Sequence, residues 1–130
     1  MDSQRERALN PASEQELLDA LQVAEQSGEI VAIEQAVSRL SLFYTAAERF
    51  ADAAPYWQKG ALLVEQTTAP DSRELATYLH NMAASCLVPG GMIEQARSTF
   101  VRAQAIYSLH FNPDAEVFRD IRQRLHEIQN

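Results

Sequence analysis

Four side chains of this sequence belong to the types that bind transition metals or attack electrophiles: His80, Cys86, His110 and His126. A zinc site needs ligands at close spacings such as Cys-x-x-Cys or His-x-x-x-His, and no pair among these four has such a spacing. His80 and Cys86 are six residues apart, so they do not share one face of a helix. The sequence therefore predicts no metal site.

The remaining motifs that could carry chemistry have simpler structural interpretations. A cysteine nucleophile needs a base beside it and a lowered pKa, and we interpret Cys86 instead as a small buried side chain. The run Pro89-Gly90-Gly91 lacks the Lys-Ser/Thr of a phosphate loop, so it predicts a turn. Asp114 and Glu116 stand where a helix begins, a position that favours acidic residues. No convergent set of titratable groups emerges, so we expect neither an enzyme nor a cofactor.

Length, composition and charge exclude several classes of protein. A chain of 130 residues with 46% hydrophobic residues is long enough for one domain with a buried core. No apolar run approaches the ~20 residues that cross a bilayer, and the first residues contain no signal-peptide apolar region. A single cysteine is typical of the reducing cytoplasm, and a net charge of −7 argues against nucleic acid as a partner. We expect a cytoplasmic protein that binds neither membranes nor nucleic acid.

The charge is distributed unevenly along the chain. The first 34 residues contain eight acidic and two basic side chains, and ten of the eleven basic residues are arginine. One interpretation is a solvated acidic helix. The other is that arginines lie in a binding groove, where they suit acidic groups.

Apolar residues at helical spacing, interrupted by Gly and Pro, predict six helices and no strand. Residues 1–12 are expected to form a flexible arm, because Asn10-Pro11 disfavours a helix and Ser13 with Glu16 forms a capping box. Gly28 then ends the first helix. The predicted helices span about residues 13–27, 30–46, 50–66, 72–87, 93–109 and 114–129, within one domain of residues 13–130.

Two of these hairpins repeat one pattern. Leu40 corresponds to Met82 and Arg39 to Asn81, 42 residues later, whereas after the loop Trp57 corresponds to Phe100 at an offset of 43. The second copy is therefore expected to have one extra residue in its turn, at residues 88–91. A fixed period of ~20–50 residues indicates stacked helical repeats, here about 30–69 and 72–112, with the amphipathic last helix as a cap.

The repeated residues resemble the tetratricopeptide repeat, in the longer variety seen in kinesin light chains. The matching stretches are Leu79-His80-Asn81-Met82-Ala83, Gly91-x-Ile93-Glu94-Gln95-Ala96 and Phe100-x-x-Ala103-x-x-Ile106. The first copy departs from the pattern, with Glu48 in place of the turn glycine and Gly60 in place of the usual alanine. The resemblance covers about residues 33–130. It implies an all-α fold of antiparallel hairpins stacked as a short right-handed solenoid.

The resemblance also implies a function, since the first helix of each hairpin would line a concave groove that binds a peptide or protein segment, with acidic groups suited to the arginines. The groove residues would be Gln35, Ser38, Arg39, Thr77, His80, Asn81, Arg119 and Arg122. The first hypothesis is accordingly a non-catalytic adaptor or scaffold. The alternative is a structural module that forms a homodimer through its repeats and has no groove ligand.

Overall fold

The structure, a computed structural model, describes residues 11–129 and contains six helices in this range, with no strand among these residues. The helices are α1 (Pro11–Ser27), α2 (Ile30–Ala46), α3 (Phe50–Thr67), α4 (Arg73–Met82), α5 (Ile93–Tyr107) and α6 (Glu116–Gln129). A π-helical turn, Ala83–Leu87, continues α4. The prediction of an all-α protein with six helices is confirmed.

The first helix begins earlier than predicted. It starts at Pro11, so Ser13 lies inside its first turn instead of capping it. Proline is well suited to this turn, since the amides there have no partner within the helix and proline has none to leave unpaired. The first ten residues of the predicted flexible arm lie outside the described residues. Gly28 ends α1 with a φ of 71°, as the C′ glycine that was predicted.

The described chain divides into two compact units, the first ending at Leu63 and the second beginning at Val64. In the first unit α1 packs against α2, and the inner face of α2 is fully buried at Val37 and Leu40. Trp57 of α3 donates a hydrogen bond from Nε1 to Thr45 Oγ1 at 2.9 Å, which joins α3 to α2. The Tyr44 and Tyr56 rings stack with their centroids 5.7 Å apart.

In the second unit α5 packs against both α4 and α6. Phe100 on α5, Leu75 on α4 and Ile121 on α6 are fully buried and supply its core. Ser72 caps α4, because its hydroxyl accepts the amide of Leu75 at 3.0 Å. His110, in the loop after α5, contacts the carbonyl of Asp71 with its Nε2 at 2.7 Å and thereby joins the two loops of this unit.

The same turn follows the first helix of each repeat hairpin. Each has the Schellman pattern, in which two amides after the helix end donate to carbonyls five and three residues back. The bonds are Arg49 N to Tyr44 O (2.8 Å), Glu48 N to Thr45 O (3.0 Å), Met92 N to Leu87 O (2.8 Å) and Gly91 N to Val88 O (3.0 Å). The second pair lies 43 residues after the first, so the two turns have equal length.

The extra residue of the second copy therefore lies before Leu87, and its predicted place at residues 88–91 is wrong. The π-helical turn Ala83–Leu87 is closed by the amide of Val88, which donates to the carbonyl of Ala83 at 2.9 Å. A bond to the fifth residue back accommodates one more residue than an α-helical turn does. The change of offset from 42 to 43 thus has a structural cause inside the helix.

Candidate interaction surfaces

The three predicted groove residues of the first unit lie on the solvent face of α2. Gln35, Ser38 and Arg39 are all exposed, and none of their side chains has a hydrogen-bond or ion-pair partner within residues 11–129. Val31 and Leu42, at helical spacing on the same face, are 64% and 56% exposed. This face therefore presents a polar centre between two exposed apolar side chains.

A solvent-open cleft of about 350 Å³ runs beside this face, between α1 and α2. Gln35 and Arg39 form part of its α2 wall, and Val23, which is 65% exposed, lies on the α1 wall. Glu29, the residue before α2, also lines the cleft, and its carboxylate does not cap the helix. The cleft accordingly has unpaired side chains of opposite charge among its lining residues.

A polar cluster in the same unit was not anticipated from the sequence. Arg49 donates two hydrogen bonds to Glu14, Nη1 to Oε1 at 3.0 Å and Nη2 to Oε2 at 3.3 Å, and one from Nε to Asp52 at 2.9 Å. The hydroxyl of Tyr44 donates to Glu14 Oε2 at 2.6 Å. The guanidinium lies 4.7 Å from the centre of the Tyr44 ring. This cluster connects the start of α1 to the turn between α2 and α3.

Electrostatics within the cluster follow from these contacts. The hydrogen bonds from Arg49 and then from Tyr44 lower the pKa of Glu14. Burial, followed by the hydrogen bond to Glu14, raises the pKa of Tyr44, so this hydroxyl keeps its proton at neutral pH. The bonds to Glu14 and Asp52 raise the pKa of Arg49. Each charged group of the cluster has a partner of opposite charge, since Arg49 pairs with both Glu14 and Asp52, and we assign the cluster a structural role.

The three groove residues that were predicted on α4 differ in whether their side chains have a partner within the protein. Asn81 is exposed, and its side chain has no partner among the described residues. Thr77 is exposed as well, but its Oγ1 lies 3.5 Å from the hydroxyl of Tyr107. His80 is only 15% exposed, and both of its ring nitrogens have partners, Asp120 at Nε2 (2.6 Å) and Tyr107 at Nδ1 (3.2 Å).

His80 therefore joins α4 to both other helices of its unit. Its ring also makes edge contacts with Phe100 and Tyr107, with centroids 5.9 Å away in each case. Partial burial raises the pKa of Asp120, but hydrogen bonds from Arg124 and His80 outweigh this effect, and the net shift is downward. Asp120 thus stays ionised between the imidazole and the guanidinium of Arg124, which is 2.9 Å away.

The arginines that were predicted to bind a partner are among those that have no ion-pair partner within residues 11–129. Among residues 11–129, an ion pair holds five basic side chains, namely Arg49, Lys59, Arg97, Arg102 and Arg124. Arg39 on α2 and Arg119 and Arg122 on α6 are exposed and have no such partner in this part of the chain. Arg73 is also unpaired, although it was not predicted as a site residue.

The residues that could carry chemistry are dispersed. No group of three His, Cys, Asp or Glu side chains within residues 11–129 is arranged to bind a metal ion. Cys86 is fully buried in the π-helical turn, and this burial raises the pKa of its thiol. A raised pKa disfavours the thiolate that nucleophilic attack requires.

None of the helices within residues 11–129 combines the length and the apolar composition that crossing a bilayer requires.

Comparisons with known proteins give no family for the chain. No protein-family model matches the sequence, and no curated protein has significant similarity to it.

Proposed function

We propose that this protein is a non-catalytic interaction module that binds a peptide or protein segment, in the manner of tetratricopeptide repeats. The observation that carries the proposal is that the side chains of Arg39 and Asn81 are exposed and unpaired within the described residues. These two residues occupy equivalent positions of the two repeats. Both side chains are exposed on the first helix of their hairpin, and neither has a partner among residues 11–129. Exposed polar side chains that form no contact within the protein are available to bind a ligand.

The charge of the ligand is the second element of the proposal. Five basic residues of the described chain form ion pairs with carboxylates. Arg39, Arg119 and Arg122 do not. Guanidinium groups bind carboxylates with two parallel hydrogen bonds, so a partner with acidic side chains or a free C-terminus suits these positions.

Contacts of the reactive residues favour binding over catalysis. Both nitrogens of His80 are occupied, and the Cys86 thiol is buried with a raised pKa. A catalytic histidine needs one nitrogen directed at a substrate, and a catalytic cysteine needs access to solvent and a base. Neither residue meets these requirements.

Comparative affinity capture tests the proposal. The wild-type protein, the double variant Arg39→Ala/Asn81→Ala and the control Arg73→Ala are immobilised, and proteins bound from the source lysate are quantified. A captured partner is then titrated, and we expect the double variant to weaken binding at least about tenfold, as loss of two contacts worth ~1 kcal/mol each predicts. Arg73→Ala is expected to bind like the wild type. Equal affinity of all three proteins would refute the proposal.

A second candidate, a homodimeric structural module, is favoured by one observation. Val31 and Leu42 are large apolar side chains that α2 exposes by 64% and 56%. Pairing with another copy would remove them from water. In that case the thermal midpoint of the wild type would rise with protein concentration, because association stabilises the folded state, and Val31→Ser/Leu42→Ser would abolish the rise.

A further inference from the structure

Helix α6 is held against its unit by few buried residues. Phe118 and Ile121 are the buried residues among its 14, whereas α5, with 15 residues, buries five. The free energy that opens a segment locally rises with the apolar contacts that the opening breaks. Helices α4 and α5 pack directly against each other, and Leu75 and Phe100 in their core are fully buried. Opening of α6 alone therefore costs less than unfolding of the whole unit.

The segment between α5 and α6 is anchored in its first part. The Phe111 amide donates to the Tyr107 carbonyl at 2.9 Å, and the centroids of the two rings are 5.8 Å apart. His110 also contacts the carbonyl of Asp71. Residues 112–114 are exposed and lie between this anchor and α6. A few loop residues of this kind are sufficient for a hinge, so α6 can turn away from α4 and α5 about residues 112–114.

Asp120 of α6 contacts a residue of the predicted groove. Its Oδ2 lies 2.6 Å from Nε2 of His80, and beside this contact the rings of Phe118 and Tyr107 meet edge to face with centroids 6.3 Å apart. The side chain of His80 is only 15% exposed, although Thr77 on the same helix is exposed. The proposed ligand carries acidic groups, and at His80 the chain itself already supplies such a group.

We infer that α6 is an internal, displaceable occupant of the site at His80, where Asp120 takes the place of an acidic group of a partner. Opening about residues 112–114 moves α6 away as a unit and exposes His80 between Thr77 and Asn81. A partner that contacts His80 binds the open form, so its apparent affinity is reduced by the fraction of molecules that are open. The role of the opening rests on the proposed function, whereas the opening itself is measured without any partner.

Amide hydrogen exchange of the full chain, followed by NMR, tests the opening. In the wild type we expect the amides of α6 to exchange at least about tenfold faster than those in the middle of α5, with one common opening constant instead of a gradient toward the helix end. Asp120→Ala is expected to speed exchange throughout α6 about fivefold and to leave α5 unchanged, since it removes a contact to a carboxylate that is 48% exposed. Alanine is the better helix former, so this acceleration does not arise from a weaker helix.

Arg124→Ala is the matched control. It removes the other ion-pair partner of Asp120, 2.9 Å away within α6, and leaves the His80 contact in place. We expect it to change the exchange of α6 by less than about twofold. Equal acceleration by both variants, no acceleration by Asp120→Ala, or acceleration of α5 together with α6 would overturn the inference.

A second measurement tests whether opening of α6 uncovers His80. Leu125→Ala loosens α6 on the face that carries Ile121, one turn away, and leaves Asp120 unchanged. Diethyl pyrocarbonate acylates accessible imidazoles, and mass spectrometry reports each histidine separately. We expect Leu125→Ala to speed acylation of His80 and amide exchange of α6 by the same factor, about fivefold, and to leave the exposed His110 unchanged. Different factors would mean that the reagent reaches His80 without opening of α6, which overturns the inference.

Failure of this inference and failure of the proposed function are distinguishable. If α6 opens only together with α5, the inference fails, and affinity capture with the Arg39 and Asn81 variants still decides the function. If α6 opens as expected but the captured partner binds all variants equally, the proposed function fails, while α6 remains a detachable helix.

Discussion

Glu48 in the first hairpin and Gly91 in the second occupy the same position of the same turn. Both have a left-handed backbone, with φ of 59° and 78°, and their amides donate to carbonyls three residues back at 3.0 Å. Glycine adopts this conformation without steric cost, whereas glutamate does so at about 1 kcal/mol. The first hairpin thus keeps the turn of the repeat although it lacks the glycine.

A Cβ atom at either of these two positions should lower stability, so adding one at Gly91 should destabilise the protein and removing one at Glu48 should relieve backbone strain. Gly91→Ala is expected to lower the free energy of unfolding by about 1 kcal/mol, and the cost is conformational because an added Cβ would meet nothing within 4 Å. Glu48→Gly is expected to be about 1 kcal/mol more stable than Glu48→Ala, since both variants lose the glutamate side chain and only one relieves the backbone. Urea denaturation of the variants measures these differences. Gly28→Ala, at φ 71°, is the matched control and should resemble Gly91→Ala.

The carboxylate of Glu14 should make stability depend on pH. Its pKa is lower in the folded protein, chiefly because Arg49 donates to it, so its contribution is present above the unfolded pKa of about 4.3 and is lost as the pH falls through the folded pKa. Glu14→Gln is expected to cost about 1 kcal/mol at pH 7, a modest value since the Arg49 and Glu14 side chains are 38% and 25% exposed.

The measurement is the unfolding free energy of wild type and Glu14→Gln from pH 7 down to pH 2. Their difference should stay constant at neutral pH and shrink below about pH 4. An unchanged difference at pH 2 would contradict the assigned pKa shift. Glu16→Gln, which removes an exposed carboxylate of the same helix, serves as the control.

Most of the fold could be predicted because local signals agree with tertiary packing. The bounds of α2, Ile30–Ala46, follow from its apolar spacing between Gly28 and the turn at Glu48. The π-helical turn at Ala83–Leu87 was missed, since no residue type marks a bond to the fifth residue back. The only sign of this turn in the sequence was the change of the repeat offset from 42 to 43 residues.

The candidate surfaces could be predicted only in part. The helical phase of polar residues relative to their apolar neighbours predicts which of them are exposed, namely Gln35, Ser38, Arg39 and Asn81. The partners of His80 and Arg49 could not be found in this way, because Asp120 is 40 residues from His80 and Glu14 is 35 residues from Arg49. Contacts at such separations depend on how helices pack, which periodicity does not specify.

His80 and Asn81 should respond differently to substitution, although both were predicted to line the groove. His80→Ala removes contacts to Asp120 and Tyr107 and is expected to lower the unfolding free energy by about 1–2 kcal/mol. Asn81→Ala removes an exposed side chain without a partner in the described chain and should change it by less than about 0.5 kcal/mol. Thermal denaturation distinguishes the two. Equal losses would mean that the Asp120 contact contributes nothing to stability.

Cys86 should be unreactive in the folded protein. It is fully buried, and burial raises the pKa of its thiol, so the thiolate is both scarce and inaccessible. We expect a thiol-specific disulfide reagent to label it at least about a hundredfold more slowly in native buffer than in denaturant, because labelling requires opening of the core. Rapid labelling of the native protein would show that the π-helical turn opens readily.

Site-specific photo-crosslinking tests most directly whether the exposed face of α2 binds another protein. A benzophenone amino acid is placed at Gln35 on that face, or at Gln58, which is also exposed and lies on α3 in the same unit. After illumination in the source cells, we expect the probe at Gln35 to form a covalent adduct with a different protein and the probe at Gln58 to form none. An adduct with a second copy of the chain, or no adduct specific to Gln35, would contradict the proposed function.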